Sequence, residues 1–232
     1  MDGKYLKINM GISNSYLIKG EEGYLLVDAG VENKVDKLKS RMDEHDIEFE
    51  DIILIVITHT HNDHVGSLKE IKEKTKAPVL VHESEADLLK KGESYFPAGN
   101  NWIGRIVSNF AKSNLNEPNK FEPIKPDIEM KEYYNLQGFG FEGEIIHTPG
   151  HSAGSITVII ENMHCFTGDT MFSLVPFTVN PPFADNPEEL YKSWEKIAAY
   201  DCWFFYPGHG YMFSRNKFIG SLNRKRKKYK HK

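Results

Sequence analysis

After an unbroken apolar run, Ile52-Ile53-Leu54-Ile55-Val56-Ile57, the chain reads Thr58-His59-Thr60-His61-Asn62-Asp63-His64. Four side chains able to bind a metal fall within six positions. Neutral imidazole and carboxylate are the usual donors to zinc and similar divalent ions, and a strand end fixes their backbone while the following turn lets them converge. A single histidine in such a turn is ordinarily a surface residue, but polar loops rarely concentrate donors to this density. In extended backbone side chains alternate, so His59 and His61 point to one side and can share an ion. Asp63 and His64, out of phase and opening a helix, would face a second position, giving room for two ions about 3.5 to 4 Å apart.

Three later segments carry further donors beside glycine or proline: His147-Thr148-Pro149-Gly150-His151-Ser152, Phe166-Thr167-Gly168-Asp169-Thr170 and Pro207-Gly208-His209-Gly210. Each is read as a turn after a strand, with glycine and proline permitting the tight backbone paths that hold a side chain in place.

In this order and with this spacing, His-x-His-x-Asp-His, Thr-Pro-Gly-His, Gly-Asp-Thr and Pro-Gly-His resemble the metallo-β-lactamase superfamily, and the resemblance spans Val27 to Gly210. It implies an α/β fold: a four-layer αββα sandwich, two mixed β-sheets packed face to face with helices outside. Position by position, it implies that His59, His61 and His151 hold one metal and Asp63, His64 and His209 another, with Asp169 bridging them. Asp28, in Val27-Asp28-Ala29-Gly30, matches an early aspartate that supports the centre without binding metal. Two zinc ions are the expected cofactors, with iron or manganese as alternatives. Two cations sharing a water lower its pKa from 15.7 toward about 7 and polarise a carbonyl under attack, with Asp63 or Asp169 orienting the nucleophile. The implied activity is hydrolysis of a thioester, ester or lactone, similar to glyoxalase II.

Departures from related patterns bear on the substrate. After Asp169 the chain reads Met171-Phe172-Ser173-Leu174-Val175-Pro176-Phe177 where glyoxalase II has a glycine-cysteine-glycine segment, and only 23 residues follow His209. Phe172 stands where acyl-homoserine lactonases carry a tyrosine. A lactonase, a mononuclear iron persulfide dioxygenase and a non-catalytic metal-binding scaffold are the alternative readings. His147 reads as a hydrogen-bonded neighbour, His82 as a residue near the site, and His45, His164 and His231 as surface or packing residues.

The elements that must position these donors are legible from periodicity. Strands are expected at 5–10, 15–18, 24–27, 52–57, 78–81, 144–146, 155–160, 163–166 and 203–206. Helices are expected at 31–45, 63–74, 83–91, 187–200 and from about 214. The stretch 92–127 reads as an inserted loop with a helix near the site. Its Phe96, Trp102 and Phe110, with Phe172, Phe177 and Phe183, either line an apolar pocket or pack beneath a long loop. Strands interleaved with helices in both halves predict one layered domain over 1–232 with a continuous core.

Composition narrows the partners. The 232 residues carry a formal charge of -4, with 27% charged and 40% hydrophobic residues, so nothing draws the chain to nucleic acid or anionic membrane. The expected partner is a small-molecule substrate. The basic run Arg224, Lys225, Arg226, Lys227, Lys228, Lys230 and Lys232 reads as a solvated tail. Cys165 and Cys202 read as buried thiols. With no apolar signal segment or membrane-length run in the sequence, a cytoplasmic location is expected.

Overall fold

The computed structural model describes residues 4–100 and 119–230, and the side chains of 4–100 and 119–227. Trp102, Phe110 and His231 therefore lie outside the described residues. Fourteen strands are present among them: β1 (Tyr5–Asn9), β2 (Asn14–Lys19), β3 (Tyr24–Val27), β4 (Ile52–Val56), β5 (Val79–His82), β6 (Glu93–Ser94), β7 (Asn119–Lys120), β8 (Ile128–Met130), β9 (Tyr133–Asn135), β10 (Gly143–His147), β11 (Ile156–Ile160), β12 (His164–Ser173), β13 (Phe204–Gly210) and β14 (Phe213–Ser214). The α-helices are α1 (Val35–Asp43), α2 (Asn62–Val65), α3 (Leu68–Thr75), α4 (Glu83–Lys91), α5 (Pro187–Ala198) and α6 (Arg215–Lys230).

Two six-stranded mixed sheets form, ordered β1-β2-β3-β4-β5-β8 and β14-β13-β12-β11-β10-β9. Period-two alternation sorts each strand's side chains between the layers. Leu25, Val27, Leu54, Val56 and Leu80 meet Ile145, Val158, Ile160 and Phe166 between the sheets. Leu26, Ile55, Val79 and Val81 turn the other way, against Leu38 and Met42 of α1, Ile71 of α3 and Leu89 of α4. On the far side, Ile146, Ile159, Cys165 and Phe205 pack on Trp194 of α5 and Phe218 and Leu222 of α6. Three apolar interfaces between four layers are the αββα sandwich expected from the sequence.

Several boundaries differ from the sequence reading. The expected helix 63–74 is two, α2 and α3, because Gly66 is pulled onto the preceding loop, its N–H donating to Gly30 O at 2.8 Å. A Cβ at Gly66 would lie 2.3 Å from Glu32 N. Strands β12 and β13 run well past Phe166 and Tyr206, because their parallel pairing continues to Ser173 and Gly210. From Arg224 to Lys230 the basic run is part of α6 rather than a free tail, and Lys232 lies outside the described residues. Arg224 donates to Phe177 O and, at 2.9 Å, to Ser221 Oγ, and Arg226 Nε to Glu195 at 2.8 Å. Within 92–127, β6 and β7 pair antiparallel, so the segment leaves and rejoins the body at one place. Both cysteines are buried free thiols, and no described helix is long and apolar enough to cross a membrane.

Trp194 ties α5 to the strand that carries Asp169: it is fully buried and its Nε1 donates to Thr170 O at 2.8 Å. Trp194→Ala is expected to lower unfolding free energy by about 3–5 kcal/mol, because it leaves a cavity and an unpaired carbonyl. Urea unfolding followed by circular dichroism measures this.

Candidate metal centre

The first sheet delivers four of the donors. Buried strand β4 ends at Val56, Thr58 lies in a bend, and His61 stands in extended backbone, φ -70° and ψ 145°, directly before α2. Asp63 and His64 lie within the single turn of α2, so helical phase separates them from His59 and His61 as expected. The second sheet delivers three more. His151 sits in the turn after β10, but Asp169 lies inside β12 and His209 inside β13 rather than in turns. Register shifts between Phe166 and Gly168 and between Gly168 and Phe172 re-aim the strand there, as β-bulges do. Gly208 makes the close approach: a Cβ on it would lie 2.3 Å from Asp169 Oδ1 and 2.7 Å from His64 Cε1.

All seven side chains converge in two donor groups. One atom from each of His59, His61, His151 and Asp169 lies within 4.8 Å of the others, and the same holds for Asp63, His64 and His209. Asp169 touches both groups. Its Oδ2 is 3.8 Å from His59 Nε2, 3.4 Å from His151 Nε2 and 3.4 Å from His209 Nε2, and its Oδ1 is 3.3 Å from His64 Nε2. Asp63 Oδ2 lies 3.0 Å from His209 Nε2 and 3.7 Å from His64 Nε2. Donors about 2.0–2.1 Å from a shared tetrahedral ion stand about 3.3 Å apart, so these spacings suit a cation between them.

The polar atoms themselves call for an ion. His59 Nε2, His64 Nε2 and Asp169 Oδ1 are buried without a hydrogen-bond partner, an arrangement that is costly unless something else satisfies them. His61 Nδ1 and His151 Nε2 face each other at 2.9 Å, where two lone pairs need a proton or a cation between them. The outer ring nitrogens are committed elsewhere. His151 Nδ1 donates to Phe183 O at 3.1 Å, which leaves Nε2 as the lone pair aimed inward.

Asp28 sets the orientation of the rest from outside the donor groups. Its Oδ1 accepts from Thr58 N at 2.8 Å, and its Oδ2 from Thr58 Oγ1 at 2.9 Å and His64 Nδ1 at 2.8 Å. Because the Thr58 hydroxyl gives its proton to Asp28, its oxygen accepts from His59 Nδ1 at 3.1 Å. One carboxylate thereby turns the Nε2 atoms of both His59 and His64 toward the centre. Asp28 does this from a left-handed backbone, φ 62°, which aspartate tolerates better than most residues.

Electrostatics divides the histidines. Burial, reinforced by His64, His61 and His151, holds His59 well below the ordinary imidazole value, and burial brings His151 down to about 4 despite Asp169. Burial also acts on His64 and His209, but Asp169 and its fellow carboxylates outweigh it. They lift His64 well above the ordinary value and His209 to about 10. For Asp63, burial is overcome by His64 and the hydrogen bond from His209, so its carboxyl is held to about 2; His209 and His64 likewise keep Asp169 ionised. With no cation bound, protons on His64 and His209 balance the carboxylates.

The model for the metallo-beta-lactamase superfamily matches residues 8–209, nearly all of the chain. The chain belongs to this superfamily. A probable metallo-hydrolase of Methanocaldococcus jannaschii is 34% identical over 161 residues, which are 69% of this chain and 68% of that protein. A hydroxyacylglutathione hydrolase of Pelagibacter ubique is 30% identical over 166 residues, 71% of this chain and 54% of that one. Among solved structures, a Cronobacter sakazakii metallo-β-lactamase with a HARLDQ motif superposes with a TM-score of 0.69 at 17% identity, covering 98% of this chain and 90% of its own. The chain is thus a metallo-hydrolase of the metallo-β-lactamase superfamily, and His59, His61, His151 and Asp169 suit a divalent metal.

Within this metallo-β-lactamase fold the other described histidines belong to neither donor group. His147 Nε2 donates to Ala153 O at 2.9 Å, and its ring stacks on His82 at 3.8 Å. His164 packs on Tyr5 at 4.2 Å. Of the expected aromatic wall, Phe172 stacks over His209 at 4.5 Å, and Phe183 meets Phe96 edge-on at 5.3 Å while its carbonyl holds His151. Phe177 is 82% exposed, so it does not pack beneath a loop. A cavity of about 700 Å³, lined by Glu21, Tyr133, Gln137, Glu142 and Glu144, opens at the opposite end of β10 from His151.

One residue of the centre escaped sequence reading. Glu85, on α4, is 3% exposed and bonds both the His59–His61 loop and the His151 turn. The signal available was an acidic residue among the apolar positions of an amphipathic helix, which looks like any surface charge until the layers are assembled.

Gly208→Ala is expected to weaken metal binding by about tenfold or more while leaving the far-ultraviolet circular dichroism unchanged, since the added methyl displaces Asp169 or His64 and not the core. Metal content after equilibrium dialysis of both proteins measures the loss.

Proposed function

We propose that the chain is a dinuclear metal-dependent hydrolase acting on a thioester, ester or lactone of a small molecule. His59, His61 and His151 would hold one zinc ion and Asp63, His64 and His209 the other, with Asp169 shared between them. The observation that carries this reading is the single carboxylate of Asp169 standing 3.3–3.8 Å from nitrogens of both donor groups. Two such cations, when bound, lower the pKa of water and polarise a carbonyl oxygen.

The chain's own groups supply positioning. Asp63 is ionised at neutral pH and its side chain keeps 20% exposure, so it can accept a hydrogen bond from an incoming water and orient it. Phe172 covers His209 and, with Phe183 and Phe96, forms an apolar wall that suits the acyl part of a substrate. Phe172 cannot donate the hydrogen bond of the tyrosine that lactonases carry there, which favours an open-chain ester or thioester. Similarity to a hydroxyacylglutathione hydrolase supports the thioester in particular.

Protein stripped of metal is expected to lose turnover of model thioesters and to regain it with zinc, and His151→Ala and His209→Ala to lose at least about 100-fold in kcat/KM. Two zinc ions per chain with such turnover support the reading. A single iron, with oxygen uptake on a persulfide, points to a dioxygenase, and full activity without metal overturns the proposal.

Proton release provides a second measurement. Metal needs deprotonated imidazole, and His209 is raised to about 10, so below that pH its proton must leave as the ion enters. Apparent zinc affinity is expected to rise about tenfold per pH unit between pH 6.5 and 8.5 for each proton displaced. Zinc added to unbuffered metal-free protein at pH 7.5 should acidify the solution by at least one proton equivalent per chain.

A further inference from the structure

Glu85 lies outside both donor groups, yet it is built into the loops that carry one of them. Its Oε2 accepts from Thr60 N at 3.1 Å and from the Thr60 hydroxyl. Its Oε1 accepts from Ser152 Oγ at 2.7 Å and Gly154 N at 3.0 Å. Thr60 lies between His59 and His61, and Ser152 directly follows His151. One carboxylate thus clasps the two loops that supply all three histidines of the first group, whereas Asp63, His64 and His209 touch neither loop's Glu85 bonds.

The clasp is closely fitted. A Cβ at Gly154 would lie 2.4 Å from Glu85 Cγ and 3.1 Å from Oε1, so the His151 turn closes onto the carboxylate only with glycine there. All four donors are neutral, and among the described residues no lysine or arginine pairs with Glu85. A buried carboxylate held only by neutral donors costs stability unless positive charge lies near. Among the donors whose loops it holds, His61 lies close enough to interact electrostatically with it.

We propose that Glu85 is the positioning residue of the His59, His61 and His151 half of the centre and sets the metal affinity of that half. Asp28 has the corresponding role toward His59 and His64, so each half has a buried carboxylate behind it. The inference rests on the reading that the seven donors bind two ions.

Competition between metal-free protein and a chromophoric chelator for zinc tests it. Wild type is expected to show two sites, and Glu85→Gln to weaken one of them by about 10- to 100-fold while leaving the other within about threefold. In a His151→Ala background, where the first half is already broken, adding Glu85→Gln should leave the remaining site unchanged. Equal weakening of both sites together with a lower Tm of the metal-free protein would mean a general structural role, and two unaltered sites would mean none; either overturns the inference. Ser152→Ala removes one of the four bonds and should weaken the same site in the same sense, which decides the matter if Glu85→Gln does not fold. Wild type that binds no zinc would overturn the two-ion reading itself.

Discussion

Buried polar atoms aimed at common points are the constraint on which the rest of this structure depends. His59 Nε2, His64 Nε2 and Asp169 Oδ1 make no hydrogen bond in the protein, which costs free energy of the order of 1–3 kcal/mol for each atom unless a nearby charge or ion satisfies it. The fold tolerates this only because the opposite side of each ring is fully engaged. Thr58 and Asp28 hold His59 and His64, and the Phe183 carbonyl holds His151. Rigid outer bonds and open inner ones are what make a pre-organised metal centre rather than a collapsed hydrogen-bond cluster.

The sandwich explains how donors so far apart in the chain can meet. Each sheet ends at the same edge of the inter-sheet core, one contributing β4 and the turn of α2, the other the turn after β10 and the adjacent strands β12 and β13. Tyr16 and Asn14 of the first sheet both donate to Pro207 O beside His209, at 2.7 and 3.0 Å, which fixes the two halves against each other. Most of the donors at that edge are buried, so charges there interact strongly. Burial holds His59 and His151 low, whereas His64, facing Asp28, Asp63 and Asp169, and His209, facing Asp63 and Asp169, are lifted above the ordinary value.

This division gives a physical picture of loading. Protons on His64 and His209 take the electrostatic role of a cation among these carboxylates. Behind them, Asp28 and Glu85 are buried carboxylates that touch no metal position but extend the field of negative charge outward by one layer. The apolar ring of Phe172 stacks over His209.

The donor types and their spacing in 58–64 came from the sequence alone, because a strand's period of two and a helix's different phase follow from local geometry. The layered α/β class was legible for the same reason: alternation and 3.6-residue periodicity are properties of each segment by itself. Only the tertiary structure decided where β12 and β13 end, since parallel pairing between distant segments carried them through Asp169 and His209. It also broke the helix expected at 63–74 through a contact between Gly66 and Gly30, and docked the basic run as a helix through Phe218 and Leu222. Glu85 shows the limit most clearly. Its role depends on Thr60 and Ser152 arriving from two different sheets, and no local pattern in Glu83-Ser84-Glu85-Ala86 distinguishes a clasp from a solvated charge.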